Sequence, residues 1–346
     1  MDKWYISKGP DSDVILSSRV RLARNFRKYP FPHRTTPEQQ RQIIEETKNA
    51  LFSGNQRMIE TFRFIDFTGL DAVEKAVLIE KHVASKELLE TNRISGLLLS
   101  KDERISIMIN EEDHLRIQCL ATGMQLSETW EVCSSLDDLL SETIDFSWDE
   151  NIGYLTSCPT NIGTAIRTSV MMHLPALTMT GYIKPVLEAL GKLGMAVRGM
   201  YGENTEASGN MFQLSNQITL GKSEEDILLS IKNITVQIIE QERSLRQHLL
   251  NQNKYQLEDR IFRSFGILKN ARIISTDECL KRLSDLRLGV DMGIIEGISI
   301  ESINGLILQV QPGNLQKNEG SVLDANERDI VRAKLVREIL NKQKNN

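Results

Sequence analysis

The chain has 346 residues, 40% of them hydrophobic and 26% charged, with a formal net charge of -5. That length gives a prior of two domains and ample material for a buried core, while the mildly acidic balance excludes a general basic field for nucleic acid or a membrane surface. No run approaches the ~20 apolar residues of a membrane span. Residues 1–13 contain no apolar signal core, and Cys119, Cys133, Cys158 and Cys279 form neither a CxxC pair nor a zinc-spaced cluster. The expectation is a protein of the reducing cytoplasm without a protein-held metal.

In chain order, residues 14–22 alternate as a strand, with Arg19 and Arg21 on one face and Val14, Leu16 and Val20 on the other. Thr36-Pro37-Glu38-Gln39 reads as a helix start, with Thr36 as N-cap and Gln39 closing a capping box. A helix carrying His82 is expected over 71–83. GLLLS (96–100), a KDE turn and RISIMIN (104–110) form a hairpin. LRIQCL (115–120) follows as a strand, Leu115, Ile117 and Cys119 on one face and Arg116 and Gln118 on the other. A helix falls near 135–145, and YLTSCPTNIGTAIRTSVMMHLPAL reads as a loop opening an apolar helix at about 163–174. VRGMYGENTEASGN runs from a strand into a Gly/Asn/Ser-rich loop, FQLSNQITLG (212–221) alternates as a strand, and Ser223, with Asp226 three residues on, caps a helix to about 250. Helical patterns then cover 256–268, 276–286, 299–308 and 324–342, with Pro312 and GNLQKNEGS as a loop before the last. The class is α+β: an antiparallel sheet flanked by helices over 14–250, then a mainly helical domain over 251–346, with the boundary near 246–256.

Arg19, Arg21, Arg116, Arg167 and Arg198 lie far apart in apolar or Gly/Ser/Thr-rich surroundings. Arginine is rarely placed inside a fold unless something anionic receives it, and five such positions point to one polyanion of the size of a nucleoside triphosphate. Each arginine alone would as readily pair with a carboxylate, but Arg19 and Arg21 have no acid nearby in sequence. A second constellation is the acidic loop Asn110-Glu111-Glu112-Asp113-His114, whose adjacent carboxylates suit a cationic substrate; a bare acidic turn is more often simply solvated. The third is Glu203, in a loop where Gly199 and Gly202 permit close backbone approach; the stretch is neither a Walker A loop nor a GxGxxG fingerprint. Cys158 precedes Pro159 where a helix would begin, a setting that lowers a thiol's pKa near arginines, although a small apolar role is the plainer reading. Arg328 and Arg332 share a helix face near a helix N-terminus, which is also the pattern of an ordinary amphipathic helix.

LSSRVRLARN, NEEDHLRIQ, CPTNIGTAIRTSV and VRGMYGE…GNMFQLSNQITLG resemble, in order, the catalytic-domain motifs of the phosphagen (guanidino) kinases, over about residues 14–245. Small-molecule members carry a helical domain of about a hundred residues before the first arginine strand. Here that strand begins at residue 14 and the chain continues well beyond the catalytic motifs, an arrangement resembling the bacterial protein-arginine kinase (McsB-type) branch. The resemblance implies transfer of the ATP γ-phosphate to arginine residues of proteins, with Mg2+ as companion ion. It places Glu111, Glu112 and Glu203 around the guanidinium, with Glu112 or Glu111 as base and Cys158 beside it. Arg19, Arg21, Arg116, Arg167 and Arg198 would neutralise the phosphates and His82 would contact the nucleotide. The stretches Ser17, Ser18, Arg19, Val20, Arg21, then Arg167, Thr168, Ser169, Val170, Met171, then Arg198, Gly199, Met200, Tyr201, Gly202, Glu203 would complete the cradle. Arg328-Asp329-Ile330-Val331-Arg332-Ala333 fits the RDxxRA motif, implying a phosphoarginine pocket used in allosteric control. The implied partners are an activator protein of the McsA type, a heat-shock repressor and a Clp ATPase, with a homodimer through the C-terminal helices and roles in stress response and degradation. The missing N-terminal domain would leave the guanidine site open to a protein surface. A kinase for free arginine and a catalytically inactive phosphoarginine-binding adaptor are the competing readings.

Overall fold

The computed structural model describes residues 3–199 and 208–342. The strands in chain order are β1 (Ile15–Arg24), β2 (Phe62–Asp66), β3 (Gly96–Ser100), β4 (Ile105–Ile109), β5 (Leu115–Thr122), β6 (Trp148–Asp149), β7 (Gly153–Tyr154), β8 (Ile166–His173), β9 (Met195–Gly199) and β10 (Met211–Asn216). The helices are α1 (Pro37–Phe52), α2 (Gln56–Thr61), α3 (Ala72–Glu80), α4 (Lys86–Glu90), α5 (Leu126–Ser141), α6 (Pro175–Met179), α7 (Ile183–Lys192) and α8 (Glu224–Gln252). After Asn253 come α9 (Lys254–Asn270), α10 (Thr276–Asp291), α11 (Ile300–Gln309), α12 (Pro312–Glu319) and α13 (Ala325–Lys342). One antiparallel sheet runs β2-β3-β4-β5-β1-β8-β10-β9, and β6 pairs with β7 as a separate hairpin.

The two faces of this sheet have different fates. Val20, Leu22, Ile107, Ile117, Ile166, Val170 and Leu214 point to one face and pack with apolar residues of α1, α5, α7 and α8 in the main core. The opposite face is covered only at its ends. Leu97, Leu99 and Met108 pack beneath Leu78, Val83 and Leu88 at the β3–β4 end. Met171, Met211 and Leu16 pack against the C-terminal helices at the β8–β10 end. A trough lies between these two covers, floored by β1, β5 and β8.

Several elements differ from the sequence pattern, each for a physical reason. Residues 166–173 form a central strand, not a helix. Val170 and Met172 of β8 pack in the main core and Met171 packs under the C-terminal helices, so its apolar residues run without alternation there, and such a run cannot be told from a buried helix by periodicity. Leu16 lies on the Arg19 face because the β1–β8 register shifts between Ile15 and Ser17. Strand β10 ends at Asn216, whose side chain bonds Thr168 N and the carbonyls of Ile166 and Ile218 instead of extending the ladder. Residues 312–319 form α12, not a loop, with Pro312 in the first turn and Gly320 in the left-handed region after the last. That helix buries little of its own surface, but the Glu80 carboxylate accepts the amides of Gly313 (2.6 Å) and Asn314 (2.8 Å), supplying from α3 the anionic cap its sequence lacks. The helix expected near 135–145 begins earlier, at Leu126.

Candidate functional site

Antiparallel register aligns the five arginines on the trough face. Arg21 lies opposite Arg167 on β8 and Gln118 on β5; Arg19 lies opposite Ser169 and Leu120; Arg116 stands two residues before Gln118. The row through Ser17, Met171 and Gln213 ends at Arg198 on β9. Arg19 is pinned by bonds to Ser169 Oγ (3.2 Å) and Gln213 Oε1 (2.7 Å). Burial, then Arg116 and Arg167, push its pKa down to about 10. Arg21 is pushed well below the usual arginine value by burial and by Arg19, Arg116 and Arg167, with Glu111 opposing. Its Nε is buried and has no hydrogen-bond partner among the described residues. The neighbouring Arg24 shows the contrast. It leaves the trough for the core, where it bonds both oxygens of Asp137 and lies 3.4 Å from the centre of the Tyr154 ring. A fold that neutralises Arg24 so fully yet leaves Arg21 among like charges has kept a place for an anion.

The other residues of these stretches divide by pleat. Ser17, Ser169 and Met171 share the trough face, whereas Val20 and Val170 point into the core and Ser18 bonds Gly123 O (2.7 Å) behind the sheet. Thr168 lies opposite Val20 and Gly199 opposite Phe212, both on the core side. Met200, Tyr201, Gly202 and Glu203 lie outside the described residues.

The acidic loop stands at the Arg116 end of the trough, and it is a built structure, not a solvated turn. Asn110 adopts φ 62° and bonds the carbonyls of Gln40 and Ile94, both at 2.9 Å. Arg93 bonds the carbonyls of Asn110 and Glu111. Asp113 Oδ1 accepts from Asn25 and from the amide of Ser157, both at 2.7 Å, which brings the segment carrying Cys158 to the loop. Glu111 is fully buried and fully engaged: it takes Arg116 at 2.5 Å, Ser85 Oγ and the amide of Glu112. Glu112 keeps 38% of its side chain exposed and meets Arg116 at a longer 3.4 Å. Burial raises its pKa, Arg116 opposes, and Asp113, Glu111 and Glu87 add to the rise. Cys158 is part-exposed, 3.0 Å from Thr160 Oγ1, at the head of a single 3-10 turn, Pro159–Asn161. That turn leads into β8, so the helix N-terminus expected there is absent. Ser85 and Arg93, which help to organise this end, lie in no motif, and Asn25 and Asp113 lie in motif stretches that do not show this role; only their tertiary contacts reveal it.

His82 is not on a helix. Helix α3 ends at Glu80, and His82 follows with φ 58°, its carbonyl accepting from Gln118 Nε2 at 2.8 Å. Burial, then Arg19, push its pKa down to about 4. His114 is likewise pushed down to about 4, by burial first, with the Pro30 carbonyl opposing and Arg93 adding. Its Nδ1 accepts from Phe26 N while Nε2 donates to Pro30 O, so the neutral ring is the one that fits. Both folded values lie below the unfolded histidine value, so the unfolded chain binds more protons between about pH 6.5 and 4, and stability falls as pH drops through that window. Asp291, pushed up to about 6 by burial, opposes this over the same range, so the decisive comparison is with a variant. The melting temperature of His114→Gln is expected to fall less between pH 6.5 and 4.5 than that of the parent; an equal fall contradicts the assignment.

In the C-terminal domain, Arg328 donates to Leu323 O (3.0 Å) and Ile330 is exposed, while Ala333 is buried. Arg332 is 1% exposed and donates to Val310 O (2.8 Å), Ile274 O (2.9 Å) and Asp329 (2.5 Å). Arg332 therefore ties α13 to the end of α11 and to the segment before α10. Among the described residues no group of three His, Cys, Asp or Glu side chains is placed to hold a metal ion, and no helix is long and apolar enough to cross a membrane.

Residues 42–245 match the model of the ATP:guanido phosphotransferase C-terminal catalytic domain, and 254–346 match that of the protein-arginine kinase McsB C-terminal domain. The chain is 49% identical to a protein-arginine kinase of Halalkalibacterium halodurans over 96% of its own length and 94% of the relative's. It is 48% identical to one of Bacillus subtilis over 100% of its length and 95% of the relative's. Its fold matches a crystal structure of lombricine kinase with a TM-score of 0.61, covering 68% of each chain at 22% identity.

Proposed function

The chain belongs to the ATP:guanido phosphotransferase family, in its protein-arginine kinase branch, and from that premise we propose that it transfers the γ-phosphoryl group of ATP to the guanidino group of arginine residues in proteins. The observation that carries the reading is the trough itself, where arginines held among like charges lead to a half-exposed carboxylate at one end. The triphosphate lies along Arg19, Arg21, Arg116, Arg167 and Arg198, which align it and offset the charge of the transition state. The substrate guanidinium, protonated at neutral pH, sits at Glu112. Glu112 accepts its proton, the freed nitrogen attacks the γ-phosphorus, and the bond to ADP breaks. Glu111, committed to Arg116 and Ser85, positions the loop and is not the base. Cys158 flanks the guanidinium electrostatically and Glu203 supplies its second carboxylate contact. Mg2+ would be held mainly by the nucleotide phosphates, where it would add charge neutralisation to that of the arginines.

The same reading extends to partners. The substrates are proteins with exposed arginines, and the motif resemblance over Arg328–Ala333 is the ground for a phosphoarginine pocket, with Arg328 as the more accessible contact, and for a homodimer through the C-terminal helices. An activator of the McsA type, a heat-shock repressor and a Clp ATPase, in a cytoplasmic stress response that marks proteins for degradation, complete the proposal. It is tested by incubating the protein with ATP and either a protein substrate or free arginine and assaying acid-labile phosphate. Phosphate on the protein is expected. Phosphate on free arginine alone favours a small-molecule kinase, and none on either favours a phosphoarginine-binding adaptor.

A further inference from the structure

Beside Arg19 the trough deepens into a pocket. Part of its wall comes from outside the sheet. Trp4 and Tyr5 arrive from the N-terminal segment, and Asn304, Ile307 and Leu308 from α11 of the C-terminal domain. His82, Leu120 and Met171 face them. Apolar walls next to an arginine-lined trough suit a flat heteroaromatic ring joined to a polyphosphate.

Two residues of this wall each carry a buried polar atom with no hydrogen-bond partner among the described residues. These atoms are the Trp4 Nε1–H donor and the Asn304 Oδ1 acceptor, in residues only 6% and 9% exposed. Buried polar groups are rarely left so unless water or a ligand satisfies them. An adenine offers the complement, an amino donor beside a ring-nitrogen acceptor. The C-terminal domain also holds the facing side: Glu80, two residues before His82, is clamped by Gly313, Asn314 and the Asn314 side chain.

We propose that the N-terminal turn and α11 form the base end of the nucleotide site, with Trp4 Nε1 donating to a ring nitrogen of adenine and Asn304 Oδ1 accepting from its amino group. The C-terminal domain thereby contributes a determinant of nucleotide specificity. The inference rests on the ATP reading above and adds the identity of the groups that recognise the base. Arg332, bonded to Val310 at the end of α11, lies one element away from this wall.

The test measures binding of ATP, purine riboside triphosphate (which lacks the amino group) and inorganic tripolyphosphate to the full chain and to Asn304→Leu and Trp4→Phe. The parent is expected to bind the amino-less analogue about tenfold more weakly than ATP, the scale of one buried hydrogen bond. Asn304→Leu should bind the two nucleotides equally, and Trp4→Phe should lose affinity for both. Tripolyphosphate should bind all three proteins alike. A parent that does not distinguish ATP from the analogue overturns the inference without reference to any variant. So does an Asn304→Leu protein that still distinguishes them, or variants that lose tripolyphosphate along with ATP. A parent that binds tripolyphosphate and transfers phosphate from ATP keeps the kinase reading even then; one that binds no nucleotide overturns both.

Discussion

Replacing Glu112 with glutamine is expected to lower arginine phosphorylation by about 10²–10⁴-fold, the usual contribution of a positioned general base, while ATP affinity stays within about twofold because Arg116 keeps its closer partner Glu111 and the other phosphate arginines are untouched. The change removes the proton acceptor and keeps the size and one oxygen of the side chain. The Glu111–Arg116 pair that organises the loop remains, so the melting temperature should hold. Glu111→Gln is the informative contrast. It withdraws charge from a fully buried group bonded to Arg116, Ser85 and the Glu112 amide, and it should destabilise the protein as well as slow it. Normal turnover in Glu112→Gln, measured by steady-state kinetics, contradicts the role given to this residue.

Arg21→Met is expected to raise stability and remove function together. Arg21 sits among Arg19, Arg116 and Arg167, its Nε buried and without a partner among the described residues. An apolar side chain of similar length there should stabilise the fold, because it removes a cation held among three others. The same change removes charged contacts to the triphosphate and should weaken ATP binding by about a hundredfold. The parent's melting temperature should rise with added ATP or tripolyphosphate, and that of Arg21→Met should not. The same experiment on Arg24→Met has the opposite outcome, because losing Arg24 leaves Asp137 buried and unpaired. A lower melting temperature in Arg21→Met would mean that Arg21 is a structural arginine after all.

The arginine trough is largely legible in the sequence because strand alternation is local: period two puts Arg19 with Arg21 and Arg116 with Gln118 whatever the rest of the fold does. What alternation cannot supply is the partner of each arginine. Alternation puts Arg24 on the Val20 face, away from Arg21, but its partner Asp137, far away in the chain, is supplied only by the fold. The acidic loop is visible in composition, yet the distinction between Glu111 and Glu112 depends on Ser85, Arg93 and Arg116 converging from three segments. Strand β8 is mistaken for a helix because a strand covered on both faces loses its period, and α12 for a loop because its cap comes from Glu80 on a distant helix. The wall formed by Trp4 and Asn304 leaves no motif at all; its signal is two unpaired polar atoms that exist only once the chain is folded.

Transfer of phosphate from this trough to arginine residues of proteins is read out by phosphosite mapping by mass spectrometry under non-acidic conditions, after incubation of a protein substrate with ATP and either the parent or Glu112→Gln. Phosphoarginine is expected on the substrate with the parent and is nearly absent with Glu112→Gln. Phosphate found on serine, threonine or tyrosine, or phosphoarginine formed equally by both proteins, would contradict it.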